Sequence, residues 1–134
     1  MTIPEIGTIA ADDPPVVIIT SNRTRELHDA LKRRCLYHWI DYPTPEREAQ
    51  VVQVRAPEVS EVLARKVVEA VTSLRRMDLV KKPGLAETID WARALEFLGA
   101  ADLDPDVAEE TLGSVIKDHD DYVLVRKNLR EVVG

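Results

Sequence analysis

The chain has 134 residues, enough for one domain or for a small domain joined to part of another. Apolar residues make up 45% and charged residues 31%, which is typical of a folded globular protein and excludes an extended disordered chain. The net charge of −6 argues against a nucleic-acid partner, because such a partner needs a basic face. No apolar run is long enough to span a membrane, and we expect no signal peptide. The single cysteine, Cys35, excludes an internal disulfide and predicts a buried thiol in a reducing cytoplasm.

The first part of the chain has the pattern of a small α/β unit. Residues 2–10 predict a weak β-hairpin that turns at Gly7. The apolar, β-branched run Val16–Thr20 predicts a strand buried on both faces, as in a parallel sheet. A short helix is predicted over Arg23–Arg34, and a second strand over Leu36–Ile40.

From Tyr42 onward the pattern is helical. Thr44 can cap a helix whose first residue is Pro45, a position that requires no backbone N–H. Later helices are predicted from Pro57, after the break at Gly84, from Asp104-Pro105 and after a cap at Asp118. Their predicted core-facing positions recur every three or four residues: Val59, Val62, Leu63, Val67, Ala70, Val71 and Leu74, then Leu85, Ile89, Ala92, Leu95 and Leu98, then Ala108, Leu112, Val115 and Ile116, then Tyr122, Val125, Leu129 and Val132.

Four features follow one another in a fixed order. Asn22 comes directly after the first strand, and Arg34 comes at the end of the helix. The motif P-T-P-E-R-E then begins at Pro43, and P-G-L-A-E-T-I-D-W-A begins at Pro83. In this order the chain resembles the C-terminal part of a MoxR-type AAA+ ATPase, near the members that accompany carbon monoxide dehydrogenase maturation. The resemblance covers nearly the whole chain.

The resemblance implies a mostly α fold with two parts. Residues 1–42 would be the rear part of the AAA+ α/β core, a remnant that keeps the hairpin, two strands and a helix. Residues 43–134 would be the helical lid bundle. The phosphate-binding front half does not occur in this sequence, because there is no G-x-x-x-x-G-K-S/T motif and no apolar strand that ends in Asp-Glu.

Three residues are implied to act in catalysis. Asn22 corresponds to the sensor that orients water at the ATP γ-phosphate, and Arg34 to the arginine finger that reaches a neighbouring subunit's ATP. Arg33 occupies a slot where many relatives carry Asp, and it would be a helper or a substitute. The residues alone leave other interpretations open. Asn commonly follows a strand in a turn, and two arginines near a helix C-terminus can simply be solvated.

A second arginine sensor is expected where many relatives carry S-P-R-A, but this chain has K-P-G-L-A from Lys82. Lys82 could approach a phosphate as a point charge, or it could be an ordinary solvated loop lysine. Trp91 is expected to pack between lid and core. The three histidines have no metal-ligand spacing, so no metal site is predicted.

The resemblance also implies function and partners. The complete protein would be a cytoplasmic, ring-forming chaperone that uses ATP and Mg²⁺ to remodel a client such as a metalloenzyme under maturation, with a von Willebrand factor A-domain protein as companion. This chain alone is expected to hold no cofactor, to be inactive, and to self-associate through the open edges of its two strands. The alternative is a stand-alone helical interaction module without nucleotide activity.

Overall fold

The computed structural model describes residues 2–3, 7–8, 13, 15–21 and 29–134. Within these ranges the protein is mostly helical. Two short strands, β1 (Thr2–Ile3) and β2 (Gly7–Thr8), pair antiparallel with Thr2 opposite Thr8. Among the described residues this two-residue ladder is the whole sheet, so the predicted hairpin is not seen as part of an α/β core.

The predicted strands at Val16–Thr20 and Leu36–Ile40 are wrong. Neither segment has the hydrogen bonding of a strand, and their side chains are exposed rather than buried on both faces, with Ile18 85% and Ile40 84% exposed. The physical reason is that a strand is stable only when a neighbour accepts and donates its backbone hydrogen bonds. The described part of the chain offers neither segment such a neighbour, so the apolar pattern alone does not produce a sheet.

The chain divides into two compact units between Trp39 and Ile40. The sequence had predicted a boundary slightly later, between residues 42 and 43. The described residues form seven α-helices, the first in the first unit and the rest in the second: α1 (Asp29–Lys32), α2 (Pro45–Arg55), α3 (Glu61–Arg76), α4 (Leu85–Phe97), α5 (Pro105–Thr111), α6 (His119–Lys127) and α7 (Leu129–Val133). A 3₁₀ turn, Leu112–Ser114, extends α5.

Local sequence sets most of the helix starts in the second unit. Thr44, Asp104 and Asp118 each cap the helix that follows, by accepting hydrogen bonds from backbone N–H groups of its first turn. α3 differs from the prediction, because it begins after the Ser60 cap rather than at Pro57. A hydroxyl oxygen can accept from the orphan N–H of Leu63, at 3.2 Å, whereas proline offers no such acceptor.

The core of the second unit surrounds α3. This helix packs against α2, α4 and α7, and α5 packs against α7. Most predicted core positions are buried, but Val62 is 63% and Leu98 56% exposed, so those two assignments are wrong. Val62 lies in the first turn of α3, and Leu98 follows the end of α4, where the neighbouring helices no longer cover every face. The most fully buried large apolar side chains are Trp91, Leu63, Leu74, Leu95, Leu112, Val52, Val59, Val67, Val68, Val71 and Val115.

Candidate functional site

The predicted catalytic residues lie in the first unit. Asn22 falls outside the described residues, which resume at Asp29. The predicted helix ends at Lys32, before Arg33 and Arg34, whose backbone N–H groups donate to the carbonyl oxygens of Asp29 and Leu31, each at 3.0 Å. Both arginine side chains are exposed. Neither guanidinium forms a hydrogen bond or an ion pair with another described residue, so both are accessible to an external anion.

A pocket in the first unit lies next to these arginines but does not include them. Its lining residues are Ile19, Ser21, Leu31, Lys32, Cys35, Leu36, Tyr37, His38 and Trp39. The rings of Tyr37 and Trp39 pack with their centroids 5.1 Å apart. Cys35 is exposed, so the predicted buried thiol is wrong, and the strand that was expected to follow it, Leu36–Ile40, does not form.

A polar cluster that the sequence did not predict lies in the second unit. It consists of Glu48 on α2, Arg75 near the end of α3 and Thr88 on α4. Arg75 Nη1 donates to Glu48 Oε2 at 2.6 Å, and Nη2 donates to Oε1 at 2.8 Å. The hydroxyl of Thr88 donates to Glu48 Oε1 at 2.7 Å. Glu48 and Thr88 are fully buried, so these contacts neutralise a carboxylate that has no access to water.

Arg75 extends this cluster to two further segments. Its Nε donates to the carbonyl oxygen of Pro83 at 2.8 Å, and its guanidinium carbon lies 4.2 Å from the centre of the Tyr42 ring. Arg75 therefore connects the segment before α2, helix α2 and the loop before α4. Every buried side-chain nitrogen and oxygen among the described residues has a hydrogen-bond partner, so the polar atoms of this cluster are satisfied within the fold. A sequence signal could not have found it, because each member resembles an ordinary helix residue.

Lys82 lies in the loop between α3 and α4, residues 77–84, and its side chain is exposed. The loop is fixed from the protein interior by Asp121 on α6, which is 2% exposed. Asp121 Oδ1 accepts from the N–H of Val80, and Oδ2 accepts from the N–H of Lys81, both at 2.8 Å. At the end of the loop, Glu87 accepts from the N–H of Gly84 at 2.9 Å.

Among the described residues, the remaining titratable groups do not assemble a second polar cluster. Within the described ranges no group of three His, Cys, Asp or Glu side chains could hold a metal ion. The Lys66 ammonium and the N–H of Leu103 lower the pKa of Asp102. Its own backbone N–H and the Thr44 hydroxyl lower the pKa of Glu46. Both carboxyl groups are at the surface, and these shifts reflect local hydrogen bonds. Trp91, expected between lid and core, is instead buried within the helical unit, where its Nε1 donates to Thr111 Oγ1 at 2.8 Å.

Comparison with known proteins gives no match to a family model, a curated protein or a solved structure. Across the described residues, every helix is too short or too polar to cross a membrane.

Proposed function

We propose that this chain is the C-terminal portion of a MoxR-type AAA+ ATPase. The complete protein would be a cytoplasmic ring that uses Mg-ATP to remodel a client, with a maturing metalloenzyme as the client class and a von Willebrand factor A-domain protein as companion. In that ring the chain supplies the sensor Asn22, the arginine finger Arg34 with Arg33 as helper, and the helical lid. Alone it hydrolyses no ATP, because its sequence contains no phosphate-binding loop.

The observation that carries the proposal is the state of Arg34. An arginine that acts on a neighbouring subunit's ATP has to be exposed and free of internal partners, because its fork of donors must reach phosphate oxygens across an interface. Arg34 meets both conditions among the described residues. Arg75 is the contrasting case in the same chain, since all three of its guanidinium nitrogens donate to internal oxygens.

The two parts of the chain support different parts of the proposal. The second unit is entirely helical and begins its first helix at Pro45, within the motif that resembles the start of the lid. The apolar segments Val16–Thr20 and Leu36–Ile40 are exposed here. In the proposed ATPase they become strands of the α/β core, once strands from the front half of the protein provide their hydrogen-bond partners.

The direct test uses the complete ATPase. Arg34→Ala should leave ATP binding nearly intact and reduce hydrolysis on the order of 10³-fold or more, as is typical for arginines that act in trans. Arg130→Ala, which also removes an exposed arginine, is the matched control and should hydrolyse ATP normally. Mixing Arg34→Ala subunits with subunits that lack the phosphate-loop lysine should restore part of the activity. If the two inactive variants stay inactive when they are mixed, Arg34 does not act on a neighbouring subunit.

The alternative is a stand-alone helical interaction module. It is favoured by the completeness of the second unit, where the described residues leave no buried side-chain nitrogen or oxygen without a hydrogen-bond partner. The coding sequence upstream of Met1 discriminates between the two. An in-frame phosphate-binding loop followed by a strand ending in Asp-Glu supports the ATPase, and an unrelated upstream sequence supports the module.

A further inference from the structure

The loop of residues 77–84 is fixed by hydrogen bonds to side chains from three helices, of which Asp121 is buried. Asp121 on α6 holds the backbone of Val80 and Lys81, Arg75 on α3 holds the carbonyl of Pro83, and Glu87 on α4 holds Gly84. Leu79 anchors the loop in the core, at 7% exposed. Burying the Asp121 carboxylate costs free energy unless both oxygens are hydrogen-bonded, and here both are occupied by the loop. The loop conformation is thus set before any partner arrives.

The solvent-facing side of this loop carries one apolar side chain, Val80, which is followed in the sequence by two lysines. Val80 is 81% exposed, and Lys81 and Lys82 are exposed as well. Neither ammonium forms an ion pair or a hydrogen bond with a described residue. Several other exposed cations do have carboxylate partners, such as Lys66 with Asp102 and Arg126 with Glu109. On a chain of net charge −6, these two adjacent unpaired lysines give the fixed loop, which also carries the exposed Asp78, a net positive charge.

The loop does not have the donors of a phosphate site. Such sites use convergent backbone N–H groups, and the N–H groups of Val80 and Lys81 already donate to Asp121. Pro83 has no N–H, and the N–H of Gly84 donates to Glu87. What the loop offers is two flexible point charges beside one apolar side chain. Two lysines are also too few for nucleic acid, which requires a larger basic face.

We infer that Val80, Lys81 and Lys82 form a preformed docking surface for an acidic segment of a partner protein. Carboxylates of the partner pair with the two lysines, and an apolar residue between them covers Val80. Because Asp121 and Arg75 order the loop in advance, binding does not lose conformational entropy by ordering it. The surface lies wholly in the second unit, and its role does not depend on the ATPase proposal.

The experiment uses the full chain and a short fluorescein-labelled peptide of glutamates with interspersed leucines, followed by fluorescence anisotropy at low and physiological salt. We expect saturable one-to-one binding that weakens with salt. Lys81→Gln/Lys82→Gln should raise Kd about tenfold, the magnitude of two exposed ion pairs. Lys127→Gln/Arg130→Gln makes the same change of net charge at another exposed site and should leave Kd nearly unchanged.

A third variant separates a fixed loop from general electrostatic attraction. Asp121→Asn removes a negative charge but cannot accept from both N–H groups, so the loop loosens. A preformed surface predicts weaker peptide binding for this variant, whereas nonspecific attraction predicts tighter binding. The inference is overturned by tighter binding here, by no saturable binding to wild type, or by equal weakening in both double variants. It is also overturned if inorganic tripolyphosphate displaces the peptide at stoichiometric concentration, since that identifies a phosphate site.

Discussion

Glu48 and Arg75 form a bidentate ion pair inside the helical unit, although they are 27 residues apart in the chain. The side chain of Glu48 is 1% exposed and that of Arg75 is 10% exposed. A pair this deeply buried loses its hydration, and it is stable only because Thr88 and Pro83 supply further hydrogen-bond partners. The pair therefore specifies how α2, α3 and α4 meet.

Arg75→Met should destabilise the protein by about 3–5 kcal/mol, because it leaves a buried carboxylate without its counter-charge. The double variant Glu48→Met/Arg75→Met should lose less than the sum of the two single variants, since no buried charge remains. Arg65→Met, which breaks the exposed pair with Glu61, should cost less than about 1 kcal/mol. Urea unfolding, monitored by circular dichroism, measures the unfolding free energies of Glu48→Met, Arg75→Met, the double variant and Arg65→Met. Additive losses in the double variant would show that the pair is not coupled.

Thr111→Val should destabilise the helical unit by about 1–3 kcal/mol. The substitution keeps the shape of the side chain but removes the hydroxyl that accepts from Trp91 Nε1, which leaves a fully buried N–H without a partner. Thr72→Val is the control, because the hydroxyl of Thr72 only donates to the Val68 carbonyl of its own helix. Thermal unfolding should therefore separate the two variants, and equal losses would contradict a specific role for Thr111.

The ion pair between Asp102 and Lys66 should contribute stability that depends on pH. The pKa of Asp102 is lowered in the folded protein, first by the Lys66 ammonium and then by the N–H of Leu103. The folded carboxyl group thus binds a proton less readily than the unfolded one. Its contribution is present above the ordinary carboxyl range and is lost as pH falls below about 4.

The comparison of wild type with Asp102→Asn isolates this effect from the other carboxyl groups. The difference in unfolding free energy should be small and constant near neutral pH, and should shrink towards zero in acid. In a Lys66→Gln background the same difference should change less with acid, because this substitution removes the main cause of the lowered pKa of Asp102. A difference that grows as the pH falls would contradict the lowered pKa of Asp102 in the folded protein.

Cys35 should react with a thiol reagent in the native protein. Its side chain is exposed, and it is the only cysteine in the sequence, so one equivalent of 5,5′-dithiobis(2-nitrobenzoate) should be consumed without denaturant. The reaction rate should be similar in urea, because unfolding uncovers nothing further. A reaction that occurs only after urea is added would show that the thiol is buried, as the sequence predicted.

Most predictions that depended on residues a few positions apart in the sequence agree with the structure. The sequence pattern predicts helix starts at Thr44, Asp104 and Asp118, and each of these three residues caps a helix. The apolar repeat in α3 also predicted buried positions such as Val67 and Leu74. Both signals are local, because a cap acts within one turn and a helical repeat needs only one covered face. The strand predictions failed because a strand needs hydrogen-bond partners distant in the sequence, and the described residues provide none for Val16–Thr20 or Leu36–Ile40.

The sequence by itself determined where most helices of the second unit begin and which of their faces turn inward, because these depend on residues a few positions apart. It also supplied the motif order on which the ATPase proposal rests. Only the tertiary structure decided that Glu48 pairs with Arg75 and that Asp121 holds a loop 41 residues earlier. A buried charge has to find its partner in space, and neither composition nor periodicity records which distant side chain the packing of the helices brings to it.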